Sequence, residues 1–169
     1  MPFWRSYAHL IWTTKNREPL INLEIEEALY GSLIAKAAEL GCFVHAVGGV
    51  ADHVHVVISI PPKHSVATVV KHLKGSSSHY VNHVLRNGSQ AFAWQRGYGY
   101  LTFGESQCER AVAYVKGQKQ HHLMNTVNNW LERVDEDNED EAPSTASAPK
   151  SQHGVREPSP VYLSDEFPY

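Results

Sequence analysis

The sequence contains a histidine pair and a tyrosine–glutamine pair whose side chains suit metal binding and nucleophilic attack. His53 and His55 open the apolar run DHVHVVISIPP. Side chains alternate along a β-strand, so on a strand both imidazoles would lie on one face and could bind one metal ion. The alternative is a hydrogen-bonded pair of core histidines, because a single His-x-His on a strand is weak evidence for a metal site.

The second pair, Tyr114 and Gln118, lies in ERAVAYVKGQKQHH. Residues four apart share one face of a helix, so the two side chains would be one turn from each other. A tyrosine on an amphipathic helix usually belongs to the core, and a glutamine is usually solvated. Gly117 lies between them and costs a helix interior about 1 kcal/mol relative to alanine. It is consistent with a hinge, a close backbone approach or a fraying end.

The apolar patterns around these residues predict the element order βαββαβα. This order favours a ferredoxin-like α+β sandwich, in which an antiparallel sheet carries its helices on one face. Such a fold is compatible with many functions. The predicted elements are a strand within 3–15, a helix at 23–41, two strands separated by residues 48–52, a helix at 64–88, a strand within 98–103 and a helix, broken in two, at 105–134.

Charge divides the chain near residue 131. Residues 1–131 carry a net charge of +4 and ten of the eleven histidines, whereas residues 132–169 carry −7. The stretch DEDNEDEAPSTASAPKSQHG has no periodicity and is rich in acidic residues, Pro and Ser, which predicts disorder. We therefore expect one domain at 1–131 and an acidic tail at 132–169. The mildly basic domain permits nucleic-acid binding without establishing it.

Other features favour a cytosolic protein. The sequence has no apolar run long enough to span a membrane, and its first residues do not resemble a signal peptide. Cys42 and Cys108 are far apart in sequence and form no C-x-x-C motif, so we expect reduced thiols.

Five motifs carry a resemblance to a known family. They are HLIWTTK near the start, DHVH followed by an apolar strand and PPK, LKGSSS, W-Q-x-G-Y, and Y-x-x-x-Q followed by HH. Each is weak alone, but together they cover roughly residues 4–125 in the family's order. The chain resembles the HUH-class single-tyrosine transposases of the insertion-sequence-200-like family, which includes the REP-associated tyrosine transposases. HUH denotes two histidines separated by a hydrophobic residue.

The resemblance implies an enzyme that cleaves and rejoins single-stranded DNA at hairpin-bearing element ends. A divalent cation, Mg²⁺ or Mn²⁺, would be held by His53, His55 and Gln118, and Tyr114 would attack the scissile phosphate to give a 5′-phosphotyrosine. The resemblance also implies a homodimer that shares its active sites between chains, in the prokaryotic cytosol or nucleoid.

Further residues have weaker support. Asp52 could orient a histidine, although an aspartate before a strand is more often a turn residue. His121 and His122 are expected to support the site or the DNA without binding metal. Trp94 and Tyr98 suit base stacking or the core, and we favour the core for Trp94. Four basic side chains are candidates for contacts with backbone phosphates: Lys71, Lys74, Arg96 and Lys119.

Two other functions remain open from the sequence. A domesticated relative would bind or nick palindromic repeats without moving itself, and flanking DNA without paired hairpin ends would favour it. A non-catalytic ferredoxin-like module would bind RNA or DNA without metal dependence and without a covalent adduct. The RNP-type aromatic motifs of an RNA-recognition module are not evident.

Overall fold

The predicted element order is confirmed in the computed structural model, which describes residues 3–85 and 91–134. The predicted tail from residue 135 onward lies outside these residues. Four antiparallel strands form one sheet in the order β2-β3-β1-β4. The elements are β1 (Ala8–Thr13), α1 (Leu23–Glu39), β2 (Phe43–Val50), β3 (His53–Ser59), α2 (Val66–Tyr80), β4 (Gly99–Thr102), α3 (Cys108–Lys116) and α4 (Gln118–Leu123).

The two long helices cover one face of the sheet and form the main core with it. Asn22 begins α1 by accepting hydrogen bonds from the backbone N–H groups of Glu24 and Ile25, and Ser65 begins α2 in the same way through Thr68. The helices bury their apolar sides against alternate residues of β1 and β3. The fully buried sheet residues of this core include Leu10, Trp12, Val54, Val56 and Ile58.

The histidine face of the sheet is covered by α3 and by the chain that follows α4. A second, smaller core forms there from Ala46, Val57, Ala111, Tyr114, Val115 and Leu131. The sequence predicts helices on one face of the sheet. The structure has α1 and α2 on that face and the shorter α3 on the opposite face. Leu131 is fully buried and the carbonyl of Arg133 lies against Gly99, so the packed part of the chain extends past the predicted boundary at residue 131.

One row of residues across the sheet explains how closely α3 and the segment around residue 132 approach it. Gly48, His55, Ile11 and Gly99 are register partners on β2, β3, β1 and β4. A Cβ on Gly48 would lie 2.0 Å from the carbonyl oxygen of Val115, and one on Gly99 would lie 2.1 Å from that of Arg133. The two glycines thus let α3 and the segment around residue 132 rest directly on the sheet, one on each side of His55.

We expect Gly48→Ala to destabilise the protein by about 1–3 kcal/mol, because the added methyl group would force α3 away from β2. Urea unfolding measures the change. Gly31→Ala is the matched control: nothing lies within 4 Å of its added Cβ on α1, so helix propensity should stabilise the protein by up to about 1 kcal/mol. Equal effects of the two substitutions would contradict this packing.

Within the described ranges, no helix is both long and apolar enough to cross a membrane. Cys42 and Cys108 are free, as predicted.

Candidate active site

His53 and His55 point to the same face of β3, and each has a separate partner behind its ring. Nδ1 of His53 lies 2.6 Å from Oδ1 of Asp52, and Nδ1 of His55 lies 2.7 Å from Nε2 of His9. With hydrogen on both Nδ1 atoms, each His Nε2 keeps its lone pair for a metal ion. The interaction of Asp52 is the one expected of an orienting residue, although Asp52 also occupies the turn before β3.

His9 was missed by the sequence reasoning. It is buried on β1, and its ring stacks on that of His55 at a centroid distance of 4.9 Å. Strand alternation places His9 on one face with Ile11 and Thr13, but only the register of β1 against β3 brings it beside His55. The signal in the sequence was a lone histidine in an apolar strand.

Tyr114 lies beside the histidines of its own chain. Its ring centroid is 5.9 Å from that of His55, and His121 stacks on it at 4.9 Å. Gln118 is 1% exposed and lies one turn further on, at the start of α4, with Gly117 as the break between the helices. The structure therefore places Tyr114 beside the histidine pair with Gln118 next to it on the following turn, and it confirms the predicted break in this helix.

Two groups hold the tyrosine hydroxyl. It accepts a hydrogen bond from the backbone N–H of Asn128 at 3.1 Å and donates one to Oε1 of Glu132 at 2.8 Å. Burial and the charge of Glu132 both raise the pKa of Tyr114. The phenol is therefore neutral and must lose its proton as it reacts.

Glu132 was also missed, because the sequence assigned it to the acidic tail. It ends a turn over residues 129–132, where its N–H donates to the carbonyl of Asn128. Its Oε2 lies 3.2 Å from Nε2 of His53, and its Oε1 lies 3.3 Å from Nε2 of His55. Burial alone would raise the pKa of Glu132, but the facing histidines lower it far below the usual value, so the carboxylate is charged.

The charge state of His53 follows from the same carboxylates. Burial would lower its pKa, but Asp52 and Glu132 outweigh burial and raise it to about 9. Burial lowers the pKa of His55. A histidine must be neutral to bind a metal ion, so metal binding at this pair would displace a proton from His53.

Unsatisfied polar atoms converge at this site. Among the described residues, the buried side-chain atoms without a hydrogen-bond partner are Nε2 of His53, His55 and His122, both amide atoms of Gln118 and, in the main core on the other face of the sheet, Nε1 of Trp12. Buried polar groups are normally paired, so atoms left in this state point to a missing ion or water. The donor set of imidazoles, an amide and a carboxylate fits a divalent cation.

His122 lies closer to this set than predicted. Ligand atoms of His53, His122 and Glu132 all lie within 4.8 Å of one another. The sequence predicts a supporting role for His122 without metal binding, and the structure corrects this prediction by making His122 a candidate ligand. His121 contacts Tyr114 instead, and its Nδ1 lies 3.1 Å from the hydroxyl of Thr126.

The four predicted phosphate contacts fall into two groups. Lys71, Lys74 and Arg96 line a groove of about 510 Å³ between α2 and the 92–98 segment, whereas Lys119 pairs with Glu26. Lys74 is buried and donates to the carbonyls of Gln95 and Gly97, and burial lowers its pKa to about 8. The exposed Lys71 and Arg96 are therefore the more accessible cations of this groove.

The aromatic residues of the same segment are packed. Trp94 lies edge-on to Trp12 and Phe92, and its indole N–H donates to the hydroxyl of Ser77. Tyr98 is buried in the main core. The core interpretation of Trp94 is supported, and base stacking by either ring would need the segment to open.

A family described as "Transposase IS200 like" matches residues 2–118. The chain belongs to this transposase family. The ISDra2 transposase TnpA of Deinococcus radiodurans is 29% identical over 117 residues, which cover 65% of this chain and 81% of that protein. The transposase for insertion sequence element IS200 of Salmonella typhimurium is 28% identical over 127 residues, covering 72% and 82%.

Solved structures agree on the fold. A putative transposase from Deinococcus radiodurans superposes with a TM-score of 0.54 at 25% identity, covering 73% of this chain and 92% of the other. A REP-associated tyrosine transposase bound to a REP hairpin superposes with a TM-score of 0.53 at 13% identity, covering 77% and 76%. The second likeness supports the tyrosine transposase fold alone.

Proposed function

We propose that this member of the IS200-like transposases cleaves and rejoins single-stranded DNA next to hairpins through a covalent bond to Tyr114. The observation that carries the proposal is that the buried tyrosine hydroxyl is held by the same Glu132 carboxylate that faces the Nε2 atoms of the histidine pair. The REP-associated tyrosine transposase that shares this fold is bound to a REP hairpin, and on this likeness we propose hairpin DNA as the substrate class. The two exposed cations of the α2 groove suit the phosphates of such a strand.

In the proposed reaction, the hydroxyl oxygen of Tyr114 attacks the scissile phosphorus. The new O–P bond forms as the P–O3′ bond breaks, the phenolic proton is released, and the leaving 3′ oxygen takes up a proton. A divalent cation held by His53, His55 and Gln118 would polarise and orient the phosphate as a Lewis acid. Attack of a 3′-OH on the phosphotyrosine reverses these steps and rejoins a strand without an external energy source.

The ligand types and the cellular supply of metals favour different cations. Imidazole and amide ligands suit Mn²⁺ better than Mg²⁺, which prefers oxygen ligands and water. Cellular abundance still favours Mg²⁺, and either ion would serve as the cofactor in the proposed reaction.

We also propose that the protein acts as a homodimer. The family resemblance predicts sites shared between two chains. In the single chain, Tyr114 already faces its own His55, so sharing would require α3 to leave its position on Gly48. Gly117, where α3 ends, remains a candidate hinge for such a movement.

We expect the protein to form a covalent adduct with a single-stranded hairpin oligonucleotide in the presence of Mn²⁺ or Mg²⁺. A denaturing gel would detect the adduct as labelled DNA that migrates with the protein. The fully paired duplex of the same sequence is the control and should give none. Hairpins that bind but give no adduct under any metal condition would favour the non-catalytic binding module.

A further inference from the structure

Glu132 occupies the centre of the site that the sequence motifs define, although no motif includes it. Its two carboxylate oxygens face different histidines, Oε2 towards His53 and Oε1 towards His55, at 3.2 and 3.3 Å. The same Oε1 accepts a hydrogen bond from the hydroxyl of Tyr114. The carboxylate therefore lies between the nucleophile and the histidine pair.

The contacts between Glu132 and the histidines are short ion pairs whose angles are poor for hydrogen bonds. Nε2 of both histidines lacks a hydrogen-bond partner among the described residues, in spite of these short distances. Two ligands that are each about 2.1 Å from one cation are about 3.0–3.4 Å apart when they meet at angles of roughly 90–109°. The spacing of the carboxylate from each imidazole is thus the spacing of neighbouring ligands around one ion.

The backbone fixes this position of the carboxylate. Leu131 is fully buried in the second core, and the carbonyl of Arg133 lies on Gly99, so the residues on both sides of Glu132 are held against the sheet. Asn128 begins the turn and also donates to the hydroxyl of Tyr114. This segment is therefore a packed part of the site.

We propose that Glu132 is a ligand of the divalent cation in the DNA-free protein and gives up its place to the scissile phosphate. A phosphate attacked by Tyr114 and held at the histidine pair must enter the space that the carboxylate fills, and both groups offer anionic oxygen to a cation. The inference rests on the metal site of the proposed function. It adds a ligand from outside the sequence motifs and an exchange of carboxylate for phosphate on DNA binding.

The first test measures Mn²⁺ binding to the full-length, DNA-free protein by calorimetry. Glu132→Gln keeps the size and an oxygen that can accept from Tyr114 but removes the charge, so we expect Mn²⁺ affinity to fall at least about tenfold. Glu109→Gln removes one charge from the exposed side of α3 and should leave the affinity unchanged. Unchanged affinity in Glu132→Gln would overturn the assignment of Glu132 as a ligand.

The second test uses inorganic phosphate as the probe. Bound Mn²⁺ broadens the ³¹P signal of phosphate that reaches the ion, so broadening per bound Mn²⁺ reports access. We expect it to rise severalfold in Glu132→Gln relative to the wild-type protein and Glu109→Gln, because the carboxylate no longer competes. Equal broadening in all three would overturn the exchange.

Two further variants separate this inference from the proposed function. If His53→Ala leaves Mn²⁺ affinity unchanged, the metal site itself is wrong. If His53→Ala loses affinity and Glu132→Gln does not, only the role of Glu132 fails. Circular dichroism checks folding, and should Glu132→Gln fail to fold, Glu132→Asp replaces it: we expect an affinity drop from the shortened carboxylate, and wild-type affinity would count against the ligand role.

Discussion

Tyr114→Phe should reduce the covalent protein–DNA adduct at least about a thousandfold, because the substitution removes the phenolic oxygen that would bond to phosphorus. The substitution removes one oxygen and leaves the ring between His55 and His121, so binding of the hairpin should change less than about threefold. Denaturing gels measure the adduct, and fluorescence anisotropy measures the binding.

The matched control is Tyr100→Phe. Tyr100 is 42% exposed on β4 and does not belong to the site, so this variant should form the adduct at the wild-type rate. Loss of hydrogen bonds to Asn128 and Glu132 is expected to cost Tyr114→Phe about 1 kcal/mol of stability, which a thermal melt would detect. An adduct that persists in Tyr114→Phe would show that the nucleophile is another residue.

His53→Ala and His55→Ala should each reduce adduct formation at least about a hundredfold, which corresponds to about 2.7 kcal/mol of barrier. Each substitution removes an imidazole whose Nε2 has no other partner among the described residues. EDTA should reduce adduct formation by the wild-type protein to the same extent, and added Mn²⁺ or Mg²⁺ should restore adduct formation.

His72→Ala is the control, since His72 is exposed on α2, away from the histidine pair. It should keep wild-type activity and the same dependence on the cation. Cleavage that continues in EDTA, or that survives either histidine substitution, would exclude the proposed role of the cation.

Local patterns in the sequence were sufficient for the element order and for the shared face of His53 and His55. Alternation along a strand fixes the side of the sheet to which each residue points, and a spacing of four fixes the helix face of Tyr114 and Gln118. Only the family resemblance predicts that these two pairs share one site, because no local pattern indicates that α3 packs on the histidine face of the sheet.

The parts of the site that were missed depend on long-range contacts. His9 and His55 are 46 residues apart in sequence, and the register of β1 against β3 brings them together. Glu132 reaches the histidines because Leu131 is buried and Gly99 leaves room for the backbone at Arg133. A single glutamate at the start of an acidic stretch carries no periodic signal, so composition assigned it to the tail.

Gly48 is a second example of a long-range contact that local sequence does not predict. Glycine within a strand often marks a close approach of backbone, whereas the sequence pattern predicts Gly48 only as part of the break between two strands. The structure places it inside β2, where it admits the tyrosine helix. Which segment approaches a strand glycine is decided by the fold as a whole.

The most direct test of the account is mass spectrometry of the adduct formed with a hairpin oligonucleotide in Mn²⁺. After digestion by protease and nuclease, we predict that Tyr114 carries a 5′-linked phosphodeoxynucleotide, and that the other cleavage product ends in a free 3′-OH. A nucleotide on any other residue, a 3′-linked phosphate on Tyr114, or cleaved DNA without any protein-bound nucleotide would contradict the account.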